Sequence, residues 1–169
     1  VLGPNAAGKT TFIKTILGLV RADRGGGSVE GDGIPVNGSP AYRERIGYMP
    51  QAARFPEHLT GREVTRLLMD LRGRNTELDE ELIERFRLEP ALDKPVRTLS
   101  GGTRQKLNAV VACLFRPSLL ILDEPTAGLD PVAAGVLKEK VLRAPAAGVT
   151  VLLTSHIMSE VEELAQDLI

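Results

Sequence analysis

The run Gly3-Pro4-Asn5-Ala6-Ala7-Gly8-Lys9-Thr10 places a lysine and a hydroxyl at the end of a small-residue loop, directly ahead of an apolar run with helical spacing. Successive backbone N–H groups in such a loop can wrap a β-phosphate, and the helix N-terminus behind it adds positive potential. Lys9 would then bridge the β- and γ-phosphates, Thr10 would set its hydroxyl on Mg²⁺, and Thr11 would reach the α-phosphate. More than a hundred residues later, Asp123-Glu124 closes the apolar run Leu119-Leu120-Ile121-Leu122. Two carboxylates at the carboxyl end of a buried strand lie where α/β folds bind ligands. They divide naturally into two roles, with Asp123 holding Mg²⁺ through its water shell and Glu124 orienting and deprotonating an attacking water. Between these motifs, Leu99-Ser100-Gly101-Gly102-Thr103-Arg104-Gln105 forms a second glycine-rich opening to a helix. One nucleotide does not need two such cradles from one compact chain, so the second is read as serving a neighbour's phosphate. Taken singly, each motif also has a plain structural meaning: a glycine turn into a helix, a helix cap with a turn, and a serine N-cap. The lysine of the first loop is what the plain meaning leaves unexplained.

These groups need a scaffold, and the sequence patterning supplies one. Phe12, Ile13, Ile16, Leu17 and Val20 mark a buried helix behind the first loop. Short strand-like pieces at Ser28 to Glu30 and Ile34 to Val36, bracketed by glycine turns, predict a small antiparallel patch weakened by Gly31. Thr60 and Glu63 form a capping box ahead of Val64, Leu67, Leu68 and Leu71, and Gly73 ends that helix. A further helix is expected after Thr76, with Leu78, Leu82, Ile83 and Phe86 inward and the acids Glu77, Asp79, Glu80, Glu81 and Glu84 as a solvated face. Glu89 to Pro95 reads as a loop. Then follow a helix carrying Leu107, Val110, Val111 and Leu114, the buried strand Leu119 to Leu122, and a helix from Asp130-Pro131 to about Arg143. A second buried strand at Val149 to Thr154 precedes a last helix marked by Ile157, Val161, Leu164 and Leu168. The alternation predicts an α/β fold with a mainly parallel sheet, and residues 52–98, helical without strand signal, read as an insertion.

Composition narrows the function classes. The chain has 169 residues, 21 Lys plus Arg against 22 Asp plus Glu, and a formal net charge of −1, so it lacks the basic excess that nucleic acid or an anionic membrane normally requires. The single cysteine, Cys113, excludes an internal disulfide and sits in the apolar run Leu107 to Phe115, where a thiol is buried and inert. No apolar stretch approaches the ~20 residues that span a bilayer, so any membrane role passes through a partner. His58 is assigned to the surface, and Tyr48 and Phe55 to packing.

Taken together, the chain resembles the nucleotide-binding subunit of an ATP-binding cassette transporter, a P-loop NTPase. The motifs are the Walker A loop at Gly3 to Thr10, a Q-loop in Gly47-Tyr48-Met49-Pro50-Gln51, and the signature in Leu99 to Gln105. Walker B follows at Leu119 to Glu124, the D-loop at Gly128-Leu129-Asp130-Pro131, and the switch histidine in Thr154-Ser155-His156. The resemblance implies ATP and Mg²⁺ as ligands and one cassette domain over residues 1–169, in part, with a helical subdomain at about 52–98. It implies that two cassettes dock head to tail, as a homodimer or a paired cassette, so that Ser100, Gly101 and Gly102 of one close over ATP held by the other. Glu124 then corresponds to the catalytic base, His156 to the group that senses the γ-phosphate, Gln51 to a Mg²⁺ and water contact, and Asp130 to a residue coupling the two sites. The insertion would receive a transmembrane permease, placing the protein at the cytoplasmic face of the membrane without inserting into it.

Within the family, the wording Gly-Gly-Thr-Arg-Gln-Lys points to the subgroup of multidrug-type exporters and the copper-linked nitrous-oxide-reductase maturation transporter. Ala6 stands where many relatives have glycine, Thr103 where glutamine is frequent, and Gly31 where an apolar strand residue is usual. The strand entering Walker A and the aromatic that stacks on adenine would precede Val1, and the chain stops soon after the switch histidine. Two other classes stay open on sequence alone: a cassette clamp acting on ribosomes or DNA, and a nucleotide-binding fragment without activity.

Overall fold

The computed structural model describes residues 8–20, 30–31, 34–35, 40–72 and 77–165. In chain order the helices and strands are α1 (Lys9–Ile16), β1 (Glu30–Gly31), β2 (Ile34–Pro35), β3 (Ile46–Met49), α2 (Gly61–Arg72), α3 (Glu81–Arg85), α4 (Glu89–Leu92), α5 (Gly101–Cys113), β4 (Leu119–Asp123), α6 (Pro131–Arg143), β5 (Thr150–Thr154) and α7 (Met158–Leu164). β3, β4 and β5 form a parallel sheet in that order, with Ile46 opposite Leu119 and Asp123 opposite Thr154. β1 and β2 pair antiparallel, as the turn-rich segment predicts, while Ser28 and Val36 lie outside the described residues.

The central strand β4 explains its own composition. Leu120 and Leu122 enter one core with Leu107, Val110 and Leu114 of α5 and the segment after it, and with Leu137 and Val141 of α6. Ile121 points the other way, into a smaller core with Ile13, Leu17, Tyr42 and Ile46. A strand covered on both faces has no solvated side, so its sequence is apolar without alternation. Asp123 and Glu124 are carried to the end of this strand and are themselves buried.

Local signals account for the helix starts. Thr60 N–H donates to Glu63 Oε2 at 2.8 Å and Glu63 N–H to Thr60 Oγ1 at 3.2 Å, the reciprocal pair expected of a capping box. Asp130 caps α6 through Ala133 N–H at 2.9 Å, with Pro131 in the first turn. Ser100 caps α5, accepting from Thr103 N–H at 3.1 Å.

The structure departs from the sequence patterning at several places. β3 carries no apolar alternation, yet it is a strand, held against α5 at Gly47. Residues 77–80 are not helical, because Asp79 N–H is taken by Leu114 O at 2.8 Å and its carboxylate accepts from Glu81 N–H at 3.2 Å, delaying the helix to Glu81. The Glu89 to Pro95 segment contains a helical turn, α4, which tolerates Pro90 at its start and buries Leu92. The acids of that region are not simply a solvated face, since Lys140 Nζ lies 2.5 Å from Asp79 and 2.6 Å from Glu81, and Arg85 and Arg143 also pair with Glu81. On α2, Val64 is buried but Leu67 and Leu71 are exposed, and on α1 Ile13 is buried while Phe12 faces out. The proposed stop at Gly73 and the last apolar marker, Leu168, lie outside the described residues.

Candidate functional site

Residues 3–7 of the first loop lie outside the described residues, so Gly3, Pro4, Asn5, Ala6 and Ala7 are not placed. The loop's exit is placed. Gly8 sits at φ 91°, a left-handed conformation that glycine adopts without a Cβ penalty, and its carbonyl accepts from Phe12 N–H at 2.9 Å as α1 begins. Lys9, at the first position of α1, is buried, whereas Thr11 is exposed. Thr10 Oγ1 donates to Asp123 Oδ2 at 3.0 Å across 113 residues of sequence. The second oxygen of Asp123 accepts from the Thr154 hydroxyl at 2.5 Å. Both oxygens of this buried carboxylate are therefore oriented, one by α1 and one by β5. Thr154, fully buried, also supplies its carbonyl oxygen to Glu124 N–H at 3.0 Å. Motif membership alone assigns Thr154 no role; its signal is a hydroxyl at the same strand end as the paired acids.

Glu124 is where the segments converge. Its backbone adopts φ 49°, left-handed for a residue with a Cβ, which turns the chain sharply after β4. Gln51 Nε2 donates to Glu124 Oε2 at 3.2 Å, and His156 Nδ1 lies 2.9 Å from the same oxygen. Lys9 Nζ stands 3.9 Å from Oε1. Gln51 and His156 are exposed while Glu124 is buried, so the carboxylate forms the floor and the other two the rim. Tyr48, half-buried in β3, has its phenol pKa raised by burial and by the nearby charge of Asp123.

Ser100 and Gly101 are exposed at the N-terminus of α5, and a Cβ at Gly102 would lie 3.3 Å from Gly128 O. Lys106 of α5 pairs with Asp130 at 2.7 Å, tying the helix to the start of α6; hydrogen bonds from Lys106 and from Ala133 N–H hold the Asp130 carboxyl below its ordinary value. A further buried carboxylate, Glu160, joins Thr126 at 2.5 Å and Ser155 at 3.0 Å, fixing the segment that carries His156. The apolar stripe that marks α7 in the sequence does not reveal Glu160, which lies off it.

The donor set suits a nucleoside triphosphate with Mg²⁺. Thr10 Oγ1 and Asp123 Oδ2 are hard oxygen ligands already adjacent, and a buried lysine follows the left-handed glycine at the start of a helix. Among the described residues there is no cluster of three or more His, Cys, Asp or Glu side chains that could hold a metal by themselves. A Mg²⁺ here would therefore share its coordination with phosphate oxygens and water. Also among the described residues, no helix is long and apolar enough to cross a membrane.

Comparison with known proteins gives concordant results. The family profile described as ABC transporter matches residues 1–127. The chain is 41% identical to Nod factor export ATP-binding protein I of Sinorhizobium fredii, over 99% of this chain and 50% of that protein. It is 42% identical to Daunorubicin resistance ATP-binding protein DrrA2 of Streptomyces coeruleorubidus, over 98% of this chain and 52% of that protein. The chain thus spans about half the length of these curated relatives. A solved structure described as the ATP binding subunit of an ABC transporter superposes with a TM-score of 0.87 at 36% identity, covering 97% of this chain and 70% of that one. The dimeric cassette MJ0796 bound to ADP and Pi shares the fold, with a TM-score of 0.82 at 22% identity over 96% of this chain and 75% of that one.

Proposed function

The chain belongs to the ABC transporter family, and we propose that it is the ATP-hydrolysing engine of an exporter, acting through a partner permease. The observation that carries the reading is the convergence of Lys9, Gln51 and His156 on Glu124, beside an Asp123 already bonded to Thr10. Lys9 and the N–H groups at the start of α1 bind the β- and γ-phosphates. Thr10, Asp123 and Gln51 would hold Mg²⁺, which would supply charge stabilisation on the phosphates. Glu124 accepts the proton of the attacking water, and Gln51 and His156 hold the carboxylate and the water in line with the γ-phosphate. Their contacts with Glu124 support those roles, because a base that must act in one direction needs its orientation fixed.

Ser100 and Gly101, exposed at the N-terminus of α5, and the partly buried Gly102 are assigned to the nucleotide of a second cassette in a head-to-tail pair. The dimeric arrangement known for MJ0796 supports this assignment. The Lys106 to Asp130 pair lets closure at Ser100 reach the loop before α6. The helical segment from about 52 to 98 is assigned to the permease contact, and the protein to the cytoplasmic face of the membrane. One relative is named for Nod factor export and another for daunorubicin resistance, which favours export over import.

The test is Glu124→Gln in the full-length protein. ATP binding should persist, the ATP-bound dimer should accumulate, and turnover should fall by at least about a hundredfold, the usual contribution of a general base. Hydrolysis at the wild-type rate would overturn the assignment of the base.

A further inference from the structure

Asn108 lies in the middle of α5, only 2% exposed, two helical turns after Ser100. Its Nδ2 donates to Pro50 O at 2.8 Å and to Gln105 Oε1 at 3.4 Å. Both partners are acceptors, and a proline carbonyl can be nothing else, so the amide faces them with its nitrogen. Pro50 immediately follows β3 and immediately precedes Gln51, whose Nε2 rests on Glu124. The Pro50–Gln51 peptide is planar, so fixing its oxygen fixes the plane from which the Gln51 Cα departs.

We propose that Asn108 is a positioning residue that sets Gln51 against Glu124 by holding the Pro50 carbonyl. The arrangement carries an energetic signature. Gln105 turns its carbonyl oxygen to the Asn108 amide and leaves its own Nε2 as the one buried side-chain polar atom without a partner among the described residues. An unsatisfied buried donor is unfavourable. Apolar residues at 105 and 108 would remove that defect, and would also leave the Pro50 carbonyl without its donor. The polar pair is thus placed for orientation at the end of β3 and not for helix packing. Close contact of Gly47 with α5 fixes the same strand three residues earlier, so Asn108 controls the short stretch between the sheet and Gln51.

This inference rests on the proposed role of Gln51, and a double-mutant cycle separates the two. Steady-state ATP hydrolysis and ATP binding are measured for full-length Asn108→Ala, Gln51→Ala and the double variant, with Asn108→Ser, too short to reach Pro50, as the milder replacement. Loss of one hydrogen bond predicts a kcat lower by about three- to tenfold for either Asn108 variant. Nucleotide Kd should stay within about twofold, because Asn108 touches neither Lys9 nor Thr10. In the Gln51→Ala background the same substitutions should lower kcat by less than about twofold, since the group they position is gone. Multiplicative losses in the two backgrounds, an unchanged kcat, or failure of both Asn108 variants to fold would assign Asn108 a structural role and overturn the proposal. If Gln51→Ala itself hydrolyses ATP normally, the role of Gln51 falls first, whatever Asn108 does.

Discussion

Gly47 is the position where the fold is least tolerant of a single added carbon. A Cβ built there would lie 2.0 Å from Ala112 O and 2.8 Å from Pro117 Cγ. The first neighbour is helix backbone and cannot rotate away. Restoring an ordinary contact of 3.4 Å requires β3 and α5 to separate by about 1.4 Å, more than the difference between a good backbone hydrogen bond and none. β3 is paired to β4 from Ile46 to Met49, so the shift would be taken up in that ladder or in the packing of Leu107, Val110 and Leu120. Overpacking against rigid neighbours predicts that Gly47→Ala destabilises the protein by about 3 kcal/mol. Gly135→Ala supplies the contrast. It lies in α6, exposed, with nothing within 4 Å of the added carbon, and should stabilise by about 0.5 to 1 kcal/mol through helix propensity. Urea titration of the full-length variants, compared through midpoints at constant slope, reads both. A loss below about 1 kcal/mol for Gly47→Ala would refute the reasoning, because it would mean that α5 and β3 are not held at the distance described.

Two further predictions concern ionisable groups away from the cluster. Burial alone raises the Glu81 carboxyl pKa, but hydrogen bonds from Lys140 and Arg143 outweigh it and hold the group at about 2, against an ordinary 4.5. A depressed carboxylate stabilises the fold above its unfolded pKa, and the contribution is lost as pH falls through the folded value. The displacement is worth at most about 3 kcal/mol, reduced to roughly 1 to 2 by partial solvent access. Glu81→Gln should therefore be less stable than the parent at pH 7 by that amount, with the gap closing between pH 4.5 and 2; denaturant titrations giving a constant gap across that window would contradict it. Burial pushes the Cys113 thiol up to about 12. Native protein should accordingly resist alkylation at pH 8 and react only once unfolded, whereas labelling at the rate of a free thiol would place Cys113 at the surface.

Where the sequence spoke clearly, a single physical demand governed several neighbouring residues. β4 was readable because both faces are covered, and α6 because Asp130 and Pro131 answer separate needs of a helix start. The grouping of Lys9, Gln51, Glu124 and His156 followed from motif order, and the structure brings these four together. β3 was hidden because Ile46-Gly47-Tyr48-Met49 satisfies a demand from elsewhere: Gly47 answers the approach of α5, a contact 65 residues away in sequence that no local pattern encodes. The start of α3 was misread for the same reason, since Asp79 is held by Leu114 and Lys140. On α2, the apolar spacing predicts a buried face through Val64, Leu67, Leu68 and Leu71, but Val64, Leu68 and Met69 meet the core, leaving Leu67 and Leu71 in solvent.

The left-handed turn at Glu124 sets evolutionary stability and function against each other at one codon. A non-glycine residue in that conformation costs on the order of 1 kcal/mol or more. Glycine would relieve that strain. Selection that relieved this strain through Glu124→Gly would discard the proposed base together with its contacts to Lys9, Gln51 and His156. If Glu124 is the base proposed above, the acid at this position persists only under a requirement for turnover.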